Sequence, residues 1–424
     1  MNIKDLNGKT VCILGYGREG RAMVKALETY APDCTITIAD QDVQSNAQNS
    51  EYEKQLGKKW LDNMDSFDVL IKSPGIPPDT LPPTPNSLLT NSTQIFLDSI
   101  SQDTTVIGVT GSKGKSTTAS LIFAILKEDG KDVSLVGNIG EAAISHIDDV
   151  GSFVVIELSS YQLMNIERSP QVTIVTSFFP EHLDYHGSLE NYQDAKKHIC
   201  KFQSKEDTVF YFEKSEGAKE IADTSPGKKV SYGENDSPIA IIDTNLVGAH
   251  NLFNVAGAAM VARHLGVDDA VIIEAARKFE GLPHRLKDLG KHHNITWVDD
   301  AISTTPESTI AAIRALSPKV KTIIVGGQDR GSDFTQLGEV IMASGIENVI
   351  LLGESGPRIG DTISGPETVV HEAPSMQEAV NTAKSETPTG SICLLSPGSP
   401  SFGMFKDFEE KGDLFASLVN PGQK

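Results

Sequence analysis

The sequence predicts an α/β protein built from parallel β-sheets that helices cover on both faces. Short apolar runs rich in Val, Ile and Leu recur along the chain, and helical stretches separate them. Such runs suit strands that are buried on both faces of a parallel sheet. The nine runs are TVCILGYG, TITIAD, DVLIKSPG, TTVIGVTG, FVVIELSS, VTIVTSF, TIIVGG, NVILLG and SICLLSPG.

Two segments divide the 424 residues into three predicted domains. The proline-rich tract PGIPPDTLPPTPNS suits neither a continuous helix nor a central strand, and a new strand begins near Thr104 soon after it. The second boundary is the GLPHR tract, Gly281 to Arg285, which follows a predicted helical stretch from Asn251 to Phe279. We therefore expect α/β domains at residues 1–97, 98–281 and 282–424.

Composition and charge argue against several classes of protein. The formal net charge is −20, from 37 basic and 57 acidic residues, whereas a general nucleic-acid surface requires a basic patch. No apolar run reaches the roughly 18–20 residues that span a bilayer, and the first residues lack the features of a signal peptide. The four cysteines form no CxxC pair, so neither a zinc site nor a disulfide framework is expected. These observations predict a cytoplasmic protein.

The strongest local signal is the tract GVTGSKGKSTT. Read from Gly108, it fits the phosphate-loop pattern GxxxxGK[ST], with an apolar strand before it and a helical stretch after it. The glycines let backbone N–H groups face phosphate oxygens, and the helix N-terminus adds partial positive charge. Lys115 is expected to reach the β- and γ-phosphates, and Ser116 to bind Mg²⁺. The tract therefore predicts ATP and Mg²⁺ as ligands.

A second glycine-rich motif lies near the amino terminus. Gly15, Gly17 and Gly20 form GxGxxG after an apolar strand, and Asp40 follows twenty residues after Gly20. Alone, this motif is typical of a dinucleotide-binding dehydrogenase, so bound NAD(P) is an open alternative at this point.

Seven tracts, in the same order along the chain, resemble the Mur ligases. They are GVTGSKGKSTT, VGNIG, IELSSYQL, EHLDYH, AHNLFN, GLPHR and LLSPGSPSFGMFKDFEEKG. The resemblance covers essentially the whole chain and is greatest to the branch that adds glutamate to UDP-N-acetylmuramoyl-L-alanine. It implies a Rossmann-like UDP-binding domain, a central phosphate-loop ATPase domain and a Rossmann-like carboxy-terminal domain that binds the amino acid. It also implies an enzyme of peptidoglycan synthesis. Apart from the resemblance, we expect a monomer.

The chemistry implied by the resemblance is amide-bond formation. ATP phosphorylates the substrate carboxylate, the amine of glutamate attacks the acyl phosphate, and phosphate leaves from a tetrahedral intermediate. Positioning and neutralisation of phosphoryl charge account for most of such catalysis. The third domain is expected to close about the Gly281–Arg285 junction during this reaction.

The resemblance also assigns the metal ligands. Ser116 and Glu157 are expected to hold the Mg²⁺ that bridges the ATP phosphates, and His182 resembles a ligand of a second Mg²⁺. The tract YQDAKKHIC supplies a lysine that CO₂ converts to a carbamate, an anionic oxygen ligand. Alignment on the Ala-Lys pair favours Lys196, with Lys197 as the alternative.

Further residues follow from the same resemblance. The predicted catalytic residues are Lys115, His182, Lys196 and Arg285. Those predicted to bind ATP are Gly111, Ser112, Lys113, Gly114, Lys115, Ser116, Thr117, Asn251, Asn254, Arg285 and Asp300. Those predicted to bind the UDP substrate are Gly15, Gly17, Arg18, Glu19, Asp40, Ser73, Gly75, Asn138, Ser159 and Ser160.

The predicted amino-acid pocket departs from the family pattern. Where the family has Asp-Ser-Lys-Ala-Thr-Asn, this chain has DAISTT, with Ile302 in place of the lysine and Thr304 retained. Arg330 stands where D-glutamate ligases have a lysine that binds a carboxylate, and a guanidinium offers a different, planar geometry. Ser401 and Phe408 match residues around the other glutamate carboxylate. The pattern leaves D- and L-glutamate open and slightly favours L-glutamate, with an epimerase acting afterwards.

Two other classes stay open from sequence. A folylpolyglutamate synthase-like ligase shares the phosphate loop but needs no UDP-binding domain at its amino terminus. A regulatory ATPase without ligase activity needs no equivalents of Glu157, His182 and Lys196.

Overall fold

The computed structural model describes residues 1–84, 86–138 and 142–420. Contacts between residues divide the chain into two compact units. The first unit is Met1–Ala240 with His250–Lys278, and the second is Ile241–Ala249 with Phe279–Lys424. The first contains two sheets and the second contains one, so the predicted α/β class with mainly parallel sheets is confirmed. The domain limits at residues 97 and 281 stay predictions.

The amino-terminal sheet has five parallel strands: β1 (Thr10–Leu14), β2 (Thr35–Asp40), β3 (Glu53–Leu56), β4 (Val69–Lys72) and β5 (Leu88–Thr90). Helices α1 (Arg18–Tyr30) and α2 (Ser92–Ser99) accompany them. The strand order is β3-β2-β1-β4-β5. Because the order reverses between β1 and β4, the loops after these two strands diverge and leave a crevice at the carboxyl edge.

The central sheet also lies in the first unit and has six parallel strands in the order β11-β10-β9-β6-β8-β7. The strands are β6 (Thr105–Thr110), β7 (Val133–Gly137), β8 (Phe153–Glu157), β9 (Val172–Val175), β10 (Thr208–Phe212) and β11 (Lys228–Tyr232). The helices are α3 (Lys115–Glu128), α4 (Ser160–Leu163), α5 (Leu183–His186), α6 (Leu189–Lys201), α7 (Glu216–Ala222), α8 (Asn251–His264) and α9 (Asp269–Lys278).

The single helical stretch predicted from Asn251 to Phe279 is wrong, because the structure has two helices there. Helix α8 ends at His264 and α9 begins at Asp269. Between them Gly266 has φ +81°, a left-handed conformation that ends a helix and that glycine adopts without strain.

The sheet of the second unit has six strands in the order β12-β13-β17-β14-β15-β16, with β12 antiparallel to β13 and the others parallel. The strands are β12 (Lys287–His292), β13 (Ile295–Asp299), β14 (Val320–Val325), β15 (Asn348–Leu352), β16 (Val369–Ala373) and β17 (Ile392–Leu395). The helices are α10 (Pro306–Leu316), α11 (Thr335–Ala343), α12 (Gly356–Gly360), α13 (Met376–Glu386) and α14 (Phe408–Val419).

All nine apolar runs predicted from the sequence form strands, and burial explains their uninterrupted hydrophobicity. In β14, Ile323 packs into one apolar cluster and its neighbour Ile324 into another, on the opposite face of the sheet. Both side chains are fully buried, so both faces of the strand are covered and favour apolar residues. Within the described residues, every helix is too short or too polar to cross a membrane.

Candidate active site

The predicted phosphate loop joins β6 to α3, so the strand and the helix expected around it are confirmed. Gly111 and Gly114 have φ values of +152° and +87°. A Cβ atom at Gly111 would lie 2.1 Å from Oγ1 of Thr176, and one at Gly114 would lie 2.5 Å from Oδ1 of Asn254. Backbone conformation and lack of space therefore both require glycine at these two positions. The loop backbone packs closely against Thr176, after β9, and Asn254, on α8.

Lys115 begins α3 and folds back over the loop. Its Nζ atom donates to the carbonyl oxygens of Gly111, at 3.0 Å, and Ser112, at 2.9 Å. Lys113 forms an ion pair with Glu181, with 2.9 Å between Nζ and Oε1, and so connects the loop to the segment before His182. Ser116 and Thr117 follow in the first turn of α3. The ammonium of Lys115 and the N-terminus of α3 therefore lie together at the loop, where a phosphate would bind.

Glu157 ends β8, the strand directly beside β6. Its side chain is fully buried, and Oε1 accepts a hydrogen bond of 3.0 Å from Nδ2 of Asn138. Within the described residues, the other oxygen, Oε2, is buried without a hydrogen-bond partner. A buried carboxylate oxygen without a partner is costly, and a bound cation would satisfy it.

Lys196 lies on α6 and is 1% exposed. Its Nζ atom donates to the carbonyl oxygen of Gly111 at 2.8 Å. Burial, and then the nearby charge of Lys115, hold the pKa of Lys196 well below its ordinary value. Lys197 instead pairs with Asp194 at 2.7 Å on the outer side of the helix. Of the two lysines, Lys196 is therefore the one directed at the phosphate loop.

His182 follows β9 in a left-handed conformation, with φ +56°. Its ring centroid lies 5.1 Å from that of Tyr161, and partial desolvation lowers its pKa. Among the residues that the structure describes, no group of three or more His, Cys, Asp or Glu side chains is placed to hold a metal ion. A divalent cation near Glu157 would therefore need ligands of another kind, such as the hydroxyl of Ser116 or a carbamate on Lys196.

The two asparagines predicted to bind ATP share one face of α8. Nδ2 of Asn254 donates to Oδ1 of Asn251 at 2.8 Å, and Oγ1 of Thr118 on α3 donates to Oδ1 of Asn254 at 3.3 Å. The spacing of three residues thus brings both side chains together beside the helix that follows the phosphate loop.

A cavity of about 380 Å³ opens at the crevice between β1 and β4. Nine of the ten residues predicted to bind the UDP substrate line it. The lining residues are Gly15, Tyr16, Gly17, Arg18, Glu19, Asp40, Ser73, Pro74, Gly75, Ile76, Asn138, Ser159, Tyr161 and Gln162. The tenth, Ser160, is buried behind the cavity wall, with its Oγ atom 3.0 Å from Nε2 of His186. A second cavity of about 350 Å³ shares Gly15, Asp40, Gly75 and Ile76 and adds Trp60.

The cavity walls are held by side chains that the sequence analysis selected. Oγ of Ser73 donates to the carbonyl oxygen of Gly15 at 2.8 Å, and Oδ2 of Asp40 accepts from the N–H of Tyr16 at 2.8 Å. Glu19 accepts from Ser92 Oγ at 2.7 Å. A Cβ atom at Gly20 would lie 2.1 Å from the carbonyl oxygen of Gly15, so α1 packs against the loop only with glycine there.

Arg285 and Asp300 lie in the second unit. Arg285 is exposed, whereas the adjacent His284 is buried and lies 2.7 Å from Oδ2 of Asp299, which raises its pKa. Asp300 is 2% exposed, and its carboxylate accepts from Ser396 Oγ at 2.8 Å. Burial raises the pKa of Asp300 to about 6. This carboxylate is therefore already part of a buried hydrogen-bond network.

Three of the four predicted glutamate residues, Thr304, Arg330 and Ser401, lie on loops at the carboxyl edge of the third sheet. Thr304 is half-buried just before α10, and Phe408 begins α14. The guanidinium of Arg330 is exposed and lies 5.6 Å from the ring centroid of Phe402. Ser401 is 3% exposed, and within the described residues its Oγ atom has no hydrogen-bond partner. A buried hydroxyl of this kind is suited to bind a ligand.

The sequence analysis missed several residues at the candidate site. Trp60 and Tyr161 line the two cavities of the first unit, and Lys72 and Tyr185 hold the cavity loop. Lys411 lies in the second unit. Nζ of Lys411 donates to the carbonyl oxygen of Gly326 at 3.3 Å, and burial lowers its pKa to about 8. A lysine that ends an apolar strand, as Lys72 does in VLIK, was the one available signal in the sequence.

Two segments of the chain match known protein-domain families. Residues 109–241 match the Mur ligase middle domain, and residues 284–398 match the Mur ligase, glutamate ligase domain. The UDP-N-acetylmuramoylalanine–D-glutamate ligase of Acetivibrio thermocellus is 31% identical, over 98% of this chain and 97% of the relative. The UDP-N-acetylmuramoyl-L-alanine–L-glutamate ligase of Salinispora tropica is 33% identical, over 99% of each chain.

Solved structures share the fold. The UDP-N-acetylmuramate-alanine ligase of Thermotoga maritima is 18% identical with a TM-score of 0.61, over 98% of this chain and 100% of the other. The bifunctional folylpolyglutamate synthase/dihydrofolate synthase of Yersinia pestis is 13% identical with a TM-score of 0.57, over 77% of this chain and 92% of the other. The similarity to the first structure extends over more of this chain.

Proposed function

This chain belongs to the Mur ligase family, and we propose that it adds glutamate to UDP-N-acetylmuramoyl-L-alanine in an ATP-dependent reaction of peptidoglycan synthesis. The relatives that match nearly the whole chain are named for this reaction with one or the other enantiomer of glutamate. We also propose that it acts as a cytoplasmic monomer.

The position of Asn138 carries this proposal. Asn138 lines the cavity between β1 and β4, and its amide also donates to Oε1 of Glu157 at 3.0 Å. Glu157 in turn ends β8, next to the strand that leads into the phosphate loop. One side chain thus connects the cavity proposed for the UDP substrate with the carboxylate proposed to bind Mg²⁺. An enzyme that phosphorylates a UDP-linked carboxylate requires this proximity.

The chain's own residues supply most of the phosphoryl-transfer chemistry. Lys115 and the loop N–H groups would hold the β- and γ-phosphates, while Asn251 and Asn254 would hold the ATP base and ribose. Ser116 and Glu157 would hold Mg²⁺, which neutralises phosphate charge when bound. Among the residues that the structure describes, the Oε2 atom of Glu157 has no hydrogen-bond partner, which supports that role.

Lys196 is the proposed site of carbamylation. A lysine reacts with CO₂ as the neutral amine, forming an N–C bond and releasing one proton. The burial that lowers the pKa of Lys196 favours the neutral amine. The resulting carbamate would place an anionic oxygen near the phosphate loop, where with His182 it could bind a second Mg²⁺. The roles proposed for Arg285 and Asp300 are to contact the γ-phosphate and the ribose.

We propose L-glutamate as the amino acid. Ile302 gives the region before α10 an apolar side chain where the family pattern has a lysine, and Arg330 provides a planar, exposed guanidinium beside Phe402. Thr304, Ser401 and Phe408 complete the proposed pocket. Because a guanidinium binds a carboxylate through two parallel hydrogen bonds, exchange of lysine for arginine changes the preferred carboxylate orientation.

The decisive experiment measures phosphate release from ATP and Mg²⁺ with UDP-N-acetylmuramoyl-L-alanine and either D- or L-glutamate, followed by mass analysis of the product. Turnover with L-glutamate and a product one glutamate heavier would support the full proposal. Turnover with D-glutamate alone would refute the stereochemical part. ATP hydrolysis without amide formation, or turnover with a folate substrate, would refute the assigned reaction.

A further inference from the structure

Lys72 and Tyr185 connect the proposed UDP cavity to the turn that carries His182. Lys72 ends β4 and is 3% exposed. The segment Ser73–Ile76 that follows it lines the larger cavity, and its last two residues, Gly75 and Ile76, line the smaller one as well. Tyr185 lies on α5, three residues after His182. The two side chains are 113 residues apart in sequence, yet Nζ of Lys72 lies 3.2 Å from Oη of Tyr185.

Both polar groups also bind the backbone of the cavity loop. Nζ of Lys72 donates to the carbonyl oxygen of Ile76 at 2.7 Å. Oη of Tyr185 lies 2.6 Å from that same oxygen and 2.7 Å from the carbonyl oxygen of Pro74. A phenol has one proton to donate, so the ammonium and the hydroxyl together satisfy the loop carbonyls. Removing either group leaves a partly buried polar atom with fewer hydrogen-bond partners, which loosens the loop.

The connection continues from Tyr185 to the cavity wall. The ring of Tyr185 packs edge-on against Tyr161, with 4.2 Å between centroids. Tyr161 lines the cavity, and its centroid lies 5.1 Å from that of His182. A ligand that fixes Tyr161 and the Ser73–Ile76 segment therefore acts on the same short helix that begins beside His182.

We propose that Lys72 and Tyr185 are positioning residues through which a UDP-linked substrate in the cavity fixes the His182 turn and so strengthens binding of Mg²⁺–ATP. This inference rests on the proposed function. By linkage, bound nucleotide strengthens binding of the UDP substrate by the same factor. The arrangement favours ATP use when the acceptor carboxylate is present.

Calorimetry on the full chain tests the coupling. The dissociation constant of Mg²⁺ with a non-hydrolysable ATP analogue is measured with and without UDP-N-acetylmuramoyl-L-alanine. The variants are Tyr185→Phe, Lys72→Met and the double variant. Tyr30→Phe is the matched control, because it removes from the same unit a hydroxyl that donates to Asp148 at 2.7 Å. Circular dichroism establishes that each variant is folded.

We expect the substrate to tighten nucleotide binding by about fivefold or more in the parent and in Tyr30→Phe. In Tyr185→Phe and Lys72→Met the substrate should change the nucleotide dissociation constant by less than about twofold. The double variant should behave like either single variant, because the effects of two residues in one contact network are not additive. Parental coupling in Tyr185→Phe, or no coupling in the parent protein, would overturn the inference. Ligase activity of the parent would still uphold the proposed function in either case. A parent that binds no UDP-N-acetylmuramoyl-L-alanine would overturn both.

Discussion

The Nζ atom of Lys196 lies 2.8 Å from the carbonyl oxygen of Gly111, the first residue after β6. We predict that CO₂ depletion lowers ligase activity and that bicarbonate restores it, because the neutral amine at this position is the one proposed to form the carbamate. Lys196→Ala should lose at least about a hundredfold in kcat. A carbamate signal from ¹³C-labelled bicarbonate, measured by NMR, should vanish in Lys196→Ala and persist in Lys197→Ala. A carbamate signal that persists in Lys196→Ala would assign the modification to another residue.

Lys115→Ala should abolish substrate-dependent ADP release, with a loss of at least about a hundredfold, because the loop would lose the charge expected to contact the transferred phosphate. A coupled assay for ADP measures this loss. Lys127→Ala is the control, since Lys127 is exposed near the other end of the same helix. Near-parental ADP release in Lys115→Ala would contradict the role proposed for the loop.

Gly20→Ala should raise the KM for the UDP substrate far more than the KM for ATP. The new Cβ atom would lie 2.1 Å from the carbonyl oxygen of Gly15, so α1 or the cavity loop must move, at a cost of about 1–3 kcal/mol. Gly365→Ala is a suitable control, because among the described residues the nearest atom to its Cβ would be Sδ of Met342, at 3.9 Å. Equal effects on the two KM values would argue for general destabilisation instead.

Arg330→Ala should raise the KM for glutamate by about tenfold or more and change the KM for ATP little, because loss of a charge-assisted hydrogen bond costs about 1.5–3 kcal/mol. Steady-state kinetics with saturating nucleotide and UDP substrate give both values. Arg314→Ala removes a comparable exposed guanidinium from α10 and should behave as the parent. An unchanged KM for glutamate would remove Arg330 from the proposed pocket.

The His284–Asp299 pair predicts a pH-dependent contribution to stability. Its hydrogen bond raises the pKa of His284 above the ordinary value of 6.5, so the stabilisation is complete below about pH 6.5 and is lost as pH rises through the folded pKa. Asp299→Asn should therefore destabilise β13 and α14 more at pH 6 than at pH 9. Amide hydrogen-exchange rates in these two elements, expressed as the ratio of variant to parent at each pH, measure the effect. A ratio independent of pH would mean that His284 stays neutral.

Much of this architecture is predictable from sequence, because buried strands must be apolar throughout. Two strands that the analysis did not predict, β3 and β11, lie at the ends of their sheets and read EKQL and KKVSY. Edge strands can carry charged residues, so their composition gives little signal. The break between α8 and α9 was missed because apolar spacing continues on both sides of Gly266.

The candidate site was predictable where its residues form local motifs. The phosphate loop and the GxGxxG loop fix their own backbone geometry, so their structure follows from a few neighbouring residues. The bond between Asn138 and Glu157 and the contact between Lys72 and Tyr185 depend instead on which strands lie side by side. No local pattern carries that information. The same limit explains why the sequence did not reveal that Ser159 lines the cavity whereas the adjacent Ser160 is buried outside its lining.

The placement of the two tryptophans gives the protein separate optical reporters. Trp60 borders the smaller cavity beside Asp40 and Gly75, whereas Trp297 is fully buried in the second unit against Phe415. Indole fluorescence responds to local polarity, so a ligand that enters the cavity would change the emission of Trp60 and leave that of Trp297 nearly constant. Denaturation of the second unit would change the emission of Trp297. Replacing either indole with phenylalanine would yield a molecule whose tryptophan fluorescence reports on one unit alone.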